Sequence, residues 1–249
     1  MDFDMLGLAP SLLERLAEAG LDQPTPIQAK AIPHAMEGRD VMGLAQTGTG
    51  KTIAFGLPIL DAVIAMEGKP APKTARALVL APTRELANQI ADNLRPLAGG
   101  AKVGIAVVTG GTSINRQIGR MERGVDILIA TPGRLIDLMD RGAVDLGQTQ
   151  FLVLDEADHM LDMGFIHALR KIAPKLRAER QTLLFSATMP KDMNEIAQAY
   201  LTNPVRVEVA PPGKPADELN PPPGRLYTPR CITRCRVLLL VFTPIVLLI

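Results

Sequence analysis

A glycine-rich segment followed by a lysine and a threonine could bind the phosphates of a nucleotide. Residues 45–52 read AQTGTGKT and lie between an apolar run and a segment with helical periodicity. They fit the phosphate-binding loop, except for an alanine at its first position. Gly48 and Gly50 would let backbone N–H groups face phosphate oxygens. Lys51 would reach the β- and γ-phosphates, and the Thr52 hydroxyl would bind Mg²⁺. The alternative is a glycine-rich turn without a ligand.

A second chemical cluster is acidic and follows the apolar run 151–154. Residues 155–158 read DEAD, and NTPases place the carboxylate that holds Mg²⁺ at the tip of such a strand. Asp155 is predicted to take this role. Glu156, the next residue, would orient and deprotonate the attacking water. Alternatively, these acids are a solvated helix start, because carboxylates favour helix N-termini.

Both clusters need a scaffold that brings distant segments together, and the chain repeats one pattern that supplies it. Short apolar runs alternate with segments of helical periodicity, which predicts an α/β fold with a mainly parallel sheet covered by helices on both faces. The predicted strands are 41–45, 77–81, 103–108, 127–130, 151–154, 182–185 and 205–209. Ligands bind outside the carboxyl ends of such strands, where every polar cluster described here lies.

Two helices are predicted before the first strand, over residues 11–19 and 27–36. Ser11 followed three residues later by Glu14 predicts an N-cap for the first helix. The Pro-Thr-Pro turn at 24–26 is predicted to open the second helix, and the helix after the phosphate-binding loop is predicted to start at Ile53.

The motifs together resemble the first, RecA-like domain of the DEAD-box RNA helicases, in particular of the bacterial type. Residues 155–158 carry the signature that names this family. Residues 20–28, ending in PTPIQ, resemble its Q motif, and Phe3 lies 17 residues before Gly20, where the family has an isolated aromatic. In this resemblance Gln28 pairs with adenine and Phe3 stacks on the base. From composition alone, Phe3 would be a core residue and Gln28 a surface residue.

The resemblance implies an ATP-dependent RNA helicase that hydrolyses ATP with Mg²⁺, with Lys51, Asp155 and Glu156 as its catalytic residues. The residues expected to bind ATP share the Q motif or the phosphate-binding loop. They are Phe3, Thr25, Gln28, Gln46, Thr47, Gly48, Thr49, Gly50, Lys51 and Thr52. Thr52 and Asp155 would hold Mg²⁺ through phosphates and water.

Further motifs resemble the RNA-facing segments of the family, and each follows a predicted strand. They are Pro82, Thr83 and Arg84; Gly110, Gly111 and Gln117; and Thr131, Gly133 and Arg134. Such hydroxyls, backbone N–H groups and arginines suit sequence-independent contacts to the phosphates of single-stranded RNA or a short duplex. Ser186 and Thr188 resemble the motif that couples hydrolysis to unwinding, through hydrogen bonds to Asp158.

Composition limits the alternatives. The chain has 249 residues, 47% of them apolar, and a formal net charge of only +1, so no overall basic field would drive nucleic-acid binding. The N-terminus lacks a signal-peptide pattern, which favours a cytoplasmic location. Cys231 and Cys235 are expected to be free thiols, because a lone C-x3-C lacks the second ligand pair of a zinc site.

Three regions are predicted: a helical Q-motif region at 1–38, the RecA-like ATP-binding domain at 39–209 and a tail at 210–249. The tail is proline- and arginine-rich and then apolar, and it is predicted to be disordered or the product of a frameshift. A genuine divergent tail is the alternative. Its apolar end, interrupted by Pro244, is too short to span a bilayer, which takes about 20 residues.

In the family, a second domain supplies further RNA contacts and the arginines that reach the γ-phosphate. The motifs of this second domain are not recognisable in the tail. We therefore expect a domain that binds Mg-ATP and the RNA backbone but does not unwind RNA by itself. The other readings are a P-loop ATPase acting on DNA and a non-catalytic module that binds ATP or RNA.

Overall fold

A computed structural model of the chain describes residues 2–99 and 101–209. The strands are β1 Val41–Leu44, β2 Ala75–Leu80, β3 Ile105–Val108, β4 Val125–Ala130, β5 Phe151–Leu154, β6 Gln181–Ser186 and β7 Val205–Glu208. The helices are α1 Pro10–Glu18, α2 Pro26–Met36, α3 Lys51–Ala65, α4 Arg84–Leu97, α5 Ile114–Met121, α6 Pro132–Asp140, α7 Ala157–Asp162, α8 Ile166–Ile172 and α9 Lys191–Tyr200. Two short 3₁₀ helices span Phe3–Leu6 and Ala173–Lys175.

The seven strands form one sheet in the order β3-β4-β2-β5-β6-β1-β7, and every pairing is parallel. All seven predicted strands are present, and their ends differ from the prediction by at most two residues. The predicted α/β fold is therefore confirmed. Because parallel strands end at the same edge, the loops after β1, β2, β3, β4, β5 and β6 share one rim of the sheet.

Successive strand side chains point to opposite faces, and each face carries its own hydrophobic core. In β2, Val79 belongs to the first core and Leu80 to the second. Helices α1 to α4 cover the first core and α5 to α9 cover the second. Burial on both faces explains why the strands read as continuous apolar runs.

Gly43 in β1 makes room for the largest side chain of the first core. It lies beside Phe185 of β6, and a Cβ at this position would stand 2.5 Å from the Phe185 ring. Phe185 in turn packs against Phe55 of α3, with ring centroids 5.7 Å apart. The glycine therefore fixes the distance between β1 and the helix that follows it.

The predicted helix starts need two corrections. Helix α1 begins at Pro10 with Ala9 as N-cap, so the prediction of a Ser11 cap is wrong. Proline has the φ of a first helical residue and no N–H to satisfy, and the Ala9 N–H donates to Asp61 Oδ1 at 2.8 Å. Helix α3 begins at Lys51 rather than at the predicted Ile53.

The Thr25 N-cap of α2 agrees with the predicted Pro-Thr-Pro start. The predicted tail, with both cysteines, lies outside the described residues. Among residues 2–99 and 101–209, the helices fall short of the length and apolar character that crossing a membrane requires. The cytoplasmic location stays a prediction.

Asp40 joins three parts of the sheet that are distant in sequence. Its Oδ1 accepts from the Thr182 N–H at 2.7 Å, and its Oδ2 accepts from the Thr202 N–H at 2.6 Å. The side chain is 7% exposed. One carboxylate thus holds the starts of β1 and β6 and the connection to β7 together.

Asp40→Ala should destabilise the protein, because the buried N–H of Thr182 and the partly buried N–H of Thr202 lose their acceptor, at about 1–3 kcal/mol for a buried donor. Urea unfolding followed by circular dichroism should show a loss of about 1–4 kcal/mol in the free energy of unfolding. The control Asp140→Ala removes an exposed carboxylate and should change the free energy of unfolding by no more than about 0.5 kcal/mol. Equal effects of the two substitutions would contradict this role.

Candidate functional site

Strand order decides which polar loops meet at the rim. Strands β5, β6 and β1 are neighbours, so the acidic cluster after β5 and the phosphate-binding loop after β1 lie on either side of the end of β6. The registers match Leu44 with Ser186 and Leu154 with Leu184. Strands β3, β4 and β2 form the other half of the sheet and carry the predicted RNA-facing loops.

The phosphate-binding loop turns into α3 at Gly50, whose φ of 91° is in the left-handed region that favours glycine. A side chain at this position would also collide with the Gln28 amide. The Thr49 hydroxyl donates to the Gln46 carbonyl at 2.7 Å and closes the turn. Residues 46–48 are exposed, so the loop is open to a ligand at the N-terminus of α3.

Lys51 carries a buried charge without a hydrogen bond. Its side chain is 6% exposed, and Nζ has no hydrogen-bond partner among residues 2–99 and 101–209. The Asp155 carboxyl, 2% exposed, lies near it and feels its charge. An ammonium buried without a partner is costly, and a phosphate oxygen would remove that cost.

Burial is the main cause that raises the pKa of Asp155 to about 6. The Lys51 charge and the hydrogen bond from the Glu156 N–H, 3.0 Å from Oδ1, act in the opposite direction. The neighbouring carboxylates of Glu156 and Asp158 raise the pKa further. Burial and the neighbouring carboxylates therefore disfavour the negative charge of Asp155, which a bound cation would stabilise.

Glu156 has a strained backbone, with a φ of 51° at a residue other than glycine. It is the N-cap of α7, and its Oε1 accepts from the Thr47 hydroxyl at 3.1 Å. His159 Nδ1 lies 3.5 Å from Oε2 and forms an ion pair with it when the histidine is protonated. Strain of this kind is typical of functional sites, and the contact ties the acidic cluster to the phosphate-binding loop.

One cavity of about 440 Å³ extends from the end of α1 to the acidic cluster. Of the predicted residues, Thr47, Gly48, Gly50, Lys51, Thr52, Asp155 and Glu156 line it. The sequence reasoning missed a second wall on α4, which includes Gln89, Asp92 and Asn93. The spacing of these polar residues marks the side of α4 away from the core, but nothing in the sequence shows that this side faces the loop.

Gln28 is buried, 4% exposed, so the surface position that composition alone indicates is wrong. Its Nε2 donates to the Gly50 carbonyl at 3.0 Å, and its Oε1 accepts from the Thr25 N–H at 2.9 Å. The Thr25 hydroxyl donates to the Thr49 carbonyl at 2.8 Å. Thr25 and Gln28 therefore hold the phosphate-binding loop, and contact of Gln28 with adenine stays a prediction.

Phe3 lies in the first core and is 5% exposed. It is not among the residues that line the cavity. A side chain buried to this extent offers little surface to a base, and stacking of Phe3 on adenine stays a prediction. The core position indicated by composition is the one observed.

Asp158 makes the hydrogen bonds expected with the segment after β6. Its Oδ2 accepts from the Thr188 N–H and hydroxyl, both at 2.9 Å, and from the Ala187 N–H at 3.1 Å. Its own N–H donates to the Ser186 hydroxyl at 3.3 Å. Burial raises the pKa of Asp158, but these hydrogen bonds, led by that of Thr188, outweigh it and lower the pKa.

The predicted RNA-facing residues gather at the ends of β2, β3 and β4. Arg134 donates to the Thr112 carbonyl at 3.0 Å and to Gln117 Oε1 at 3.2 Å. Gln117 is 4% exposed and donates to the Thr109 carbonyl at 2.9 Å. This buried amide therefore positions Arg134 through the hydrogen bond between them. Arg84 is half exposed.

The remaining RNA-facing residues shape this rim through the backbone. Thr83 and Thr131 are the N-caps of α4 and α6, and the Thr83 hydroxyl accepts from the Leu86 N–H at 3.2 Å. Pro82 is buried, whereas Gly110 and Gly111 are exposed beside them. Gly133 lies in the first turn of α6. The structure brings these segments together, and their contact with RNA stays a prediction.

Known proteins share these features. The model of the DEAD/DEAH box helicase family matches residues 25–196. The chain is 47% identical over 205 residues to DEAD-box ATP-dependent RNA helicase 9 of Oryza sativa, which covers 82% of this chain and 32% of that protein. It is 44% identical over 207 residues to DEAD-box ATP-dependent RNA helicase CshA of Bacillus cereus, and the match covers 83% of this chain and 38% of that protein.

A solved structure agrees with the fold. The DEAD box protein of the hyperthermophile Methanococcus jannaschii matches with a TM-score of 0.77 and 35% identity, over 84% of this chain and 56% of that one. The chain spans about a third of the length of the curated relatives it matches. Plant and bacterial relatives match alike, so the bacterial type stays a prediction.

The raised pKa of Asp155 predicts a stability that depends on pH. The folded state holds this proton up to about pH 6 and the unfolded state only to about its ordinary value of 3.8. The free energy of unfolding should therefore fall as the pH rises from about 4 to about 6. Asp155→Asn cannot ionise and does not lose stability in this way. The free energy of unfolding of the variant, relative to that of the wild type, should therefore rise between about pH 4 and about pH 6 and reach a gain of about 1–3 kcal/mol at pH 7.

Urea unfolding without nucleotide at a series of pH values measures this difference. Asp162→Asn, which changes an exposed carboxylate of α7, is the matched control. A gain for Asp155→Asn that is the same at every pH would contradict the buried, ionised carboxylate.

Proposed function

The chain belongs to the DEAD/DEAH box helicase family, and we propose on this premise that it is the ATP-binding domain of an ATP-dependent RNA helicase. In this proposal the domain binds Mg-ATP in the cavity beside α3 and contacts the RNA backbone at the rim of β2, β3 and β4. In this proposal, residues 39–209 form the RecA-like domain. Residues 1–38 form the Q-motif region, which holds the phosphate-binding loop through the hydrogen bonds of Thr25 and Gln28.

One observation carries the proposal: within the described part of the chain, the buried Lys51 ammonium has no hydrogen-bond partner, and an anion would supply one. The exposed N-terminus of α3 adds backbone N–H groups and the positive end of the helix dipole. Both features lie in the 440 Å³ cavity. A nucleoside triphosphate would supply the negative charge that Lys51 and the N-terminus of α3 can bind.

The residues present also fit Mg²⁺. The Asp155 carboxylate and the Thr52 hydroxyl both line the cavity, and they are the protein groups that would hold the ion. Within residues 2–99 and 101–209, no cluster of three or more His, Cys, Asp or Glu side chains forms a metal site. Mg²⁺ usually binds through one or two carboxylates together with substrate phosphates and water. When bound, it neutralises charge on the phosphates.

Glu156 is placed to act on the attacking water. Glu156 lines the cavity, and its carboxylate accepts a hydrogen bond from the Thr47 hydroxyl. We propose that it orients the water and accepts its proton, as a general base must reach the proton that it takes. Lys51 would stabilise the charge that develops on the transferred phosphoryl group.

Coupling between ATP and RNA would pass through β6. The hydrogen bonds of Asp158 to Ala187 and Thr188 join the acidic cluster to the segment after β6. A movement of the acidic cluster on ATP binding would therefore shift this segment as well. Two states that bind ATP with different affinity are needed for ATP to drive any such change.

The proposed whole protein needs more than these residues. In the family that the sequence resembles, a second domain supplies the arginine that reaches the γ-phosphate, and such an arginine contributes about 10³–10⁵ in rate. The described residues form one sheet with one phosphate-binding loop. A protein of residues 1–249 should therefore bind Mg-ATP and bind RNA weakly, without unwinding it.

A strand-displacement assay on a short RNA duplex with a single-stranded overhang tests this directly. We expect no ATP-dependent displacement by the 249-residue protein, and slow ATP hydrolysis that RNA stimulates more than DNA does. The reason is that one domain offers neither the arginine that a second domain would bring to the γ-phosphate nor a cleft between two domains that could close.

Glu156→Gln is the matched variant, because it keeps the hydrogen bond to Thr47 but removes the base. Hydrolysis by the wild type should exceed that of Glu156→Gln. Equal stimulation by RNA and DNA would contradict the proposed RNA specificity. Displacement at the rate of a two-domain relative would contradict the need for a second domain.

A further inference from the structure

A second concave site lies beside α4 and shares no lining residue with the nucleotide cavity. Helices α4 and α5, which cover opposite faces of the sheet, line it together with the end of the edge strand β3, and its volume is about 230 Å³. Arg84 and Arg95 contribute from α4, and Arg116 and Arg120 contribute from α5. Arg84 and Arg95 are 11 residues apart, and Arg116 and Arg120 are four apart, so each pair lies on one face of its helix. We call this site the arginine groove.

The arginine groove is positively charged. No acidic side chain is among its lining residues. Arg84 pairs with Glu85 at 3.1 Å and Arg95 with Asp92 at 2.7 Å, and all four of these side chains are about half exposed or more. Such surface pairs are weak and exchange readily with other ions.

Arg116 and Arg120 carry the uncompensated charge. Both are exposed, and neither has an ion-pair or hydrogen-bond partner within the part of the chain that the structure describes. Two like charges at the wall of a concave surface concentrate anions there. The groove therefore carries a local positive charge that can bind an anion, although the chain as a whole has a net charge of only +1.

The groove is continuous with the predicted RNA rim. Gln117 lines the groove and accepts a hydrogen bond from Arg134 of the rim. Arg84 belongs to both surfaces, and a Cβ at Gly111 would stand 2.7 Å from its Nη1. A strand bound at the rim would thus have the groove as its next surface.

Resting on the proposed function, we infer that the arginine groove binds the phosphates of single-stranded RNA beyond the rim. Its length along α4, from Arg84 to Arg95, is about 16 Å, which suits an extended chain better than one isolated anion. Guanidinium groups match phosphate oxygens in bidentate geometry. No aromatic side chain lines the groove, so it holds the backbone without stacking on bases and without sequence preference.

The test measures the affinity of the 249-residue protein for a fluorescent oligouridylate over a series of low salt concentrations. The variant Arg116→Ala/Arg120→Ala should bind more weakly, and the slope of log K against log salt should become shallower by about 1.4, since each phosphate contact to a single strand contributes about 0.7. Arg123→Ala/Arg141→Ala removes two exposed arginines that do not line the groove, and it should leave the slope unchanged.

Further measurements separate this inference from the proposed function. Arg134→Ala tests the rim alone, and binding of a fluorescent ATP analogue shows that each variant is folded. If Arg116→Ala/Arg120→Ala were misfolded, Arg116→Gln/Arg120→Gln would replace it. An unchanged slope for the groove variant, with a reduced slope for Arg134→Ala, would overturn the groove and leave the proposed function intact.

Three other results would also overturn the inference. A control pair that weakens binding as much as the groove pair would mean that only overall charge matters. Polyglutamate that competes as well as RNA at equal charge would mean that the groove takes an acidic polypeptide. A wild-type protein that binds ATP but no RNA at low salt would contradict the proposed function together with the groove.

Discussion

The position of β6 between β5 and β1 constrains how the acidic cluster meets the phosphate-binding loop. Because β5 and β1 are two strands apart, Asp155 and Lys51 approach each other across the end of β6. The segment that follows β6 then has one place to go, against Asp158, where three donors from Ala187 and Thr188 converge on one oxygen. Parallel pairing thus turns three motifs, far apart in sequence, into one connected surface.

Burial makes this surface costly and useful at once. Lys51 is buried without a hydrogen-bond partner among the residues that the structure describes, and the pKa of Asp155 is raised to about 6, mainly by burial. Charged groups held in this way reduce the stability of the free protein. Proteins keep such groups where function needs them. A bound phosphate and cation would satisfy both charges, so the ligand and the fold stabilise each other by linkage.

Much of the architecture could be predicted from the sequence because it depends on local patterns. Apolar runs predicted all seven strands, and glycine next to lysine marked the turn into α3. The failures were non-local. The N–H of the Ala9 N-cap finds its acceptor in Asp61 of α3, 52 residues along the chain. Gln28 is buried because the loop at Gly50 lies over it. The wall formed by α4 depends on how helices pack against each other, which no local pattern records.

The central claim is that Lys51 holds the phosphates of a bound nucleotide. Titration of a fluorescent ATP analogue with Mg²⁺ tests it most directly, by comparing the wild type with Lys51→Ala and with Lys171→Ala, an exposed lysine of α8. Lys51→Ala should weaken binding by about tenfold or more, since a hydrogen bond to a charged group contributes about 1.5–3 kcal/mol. Lys171→Ala should bind like the wild type. Equal affinity of the wild type and Lys51→Ala would contradict this claim.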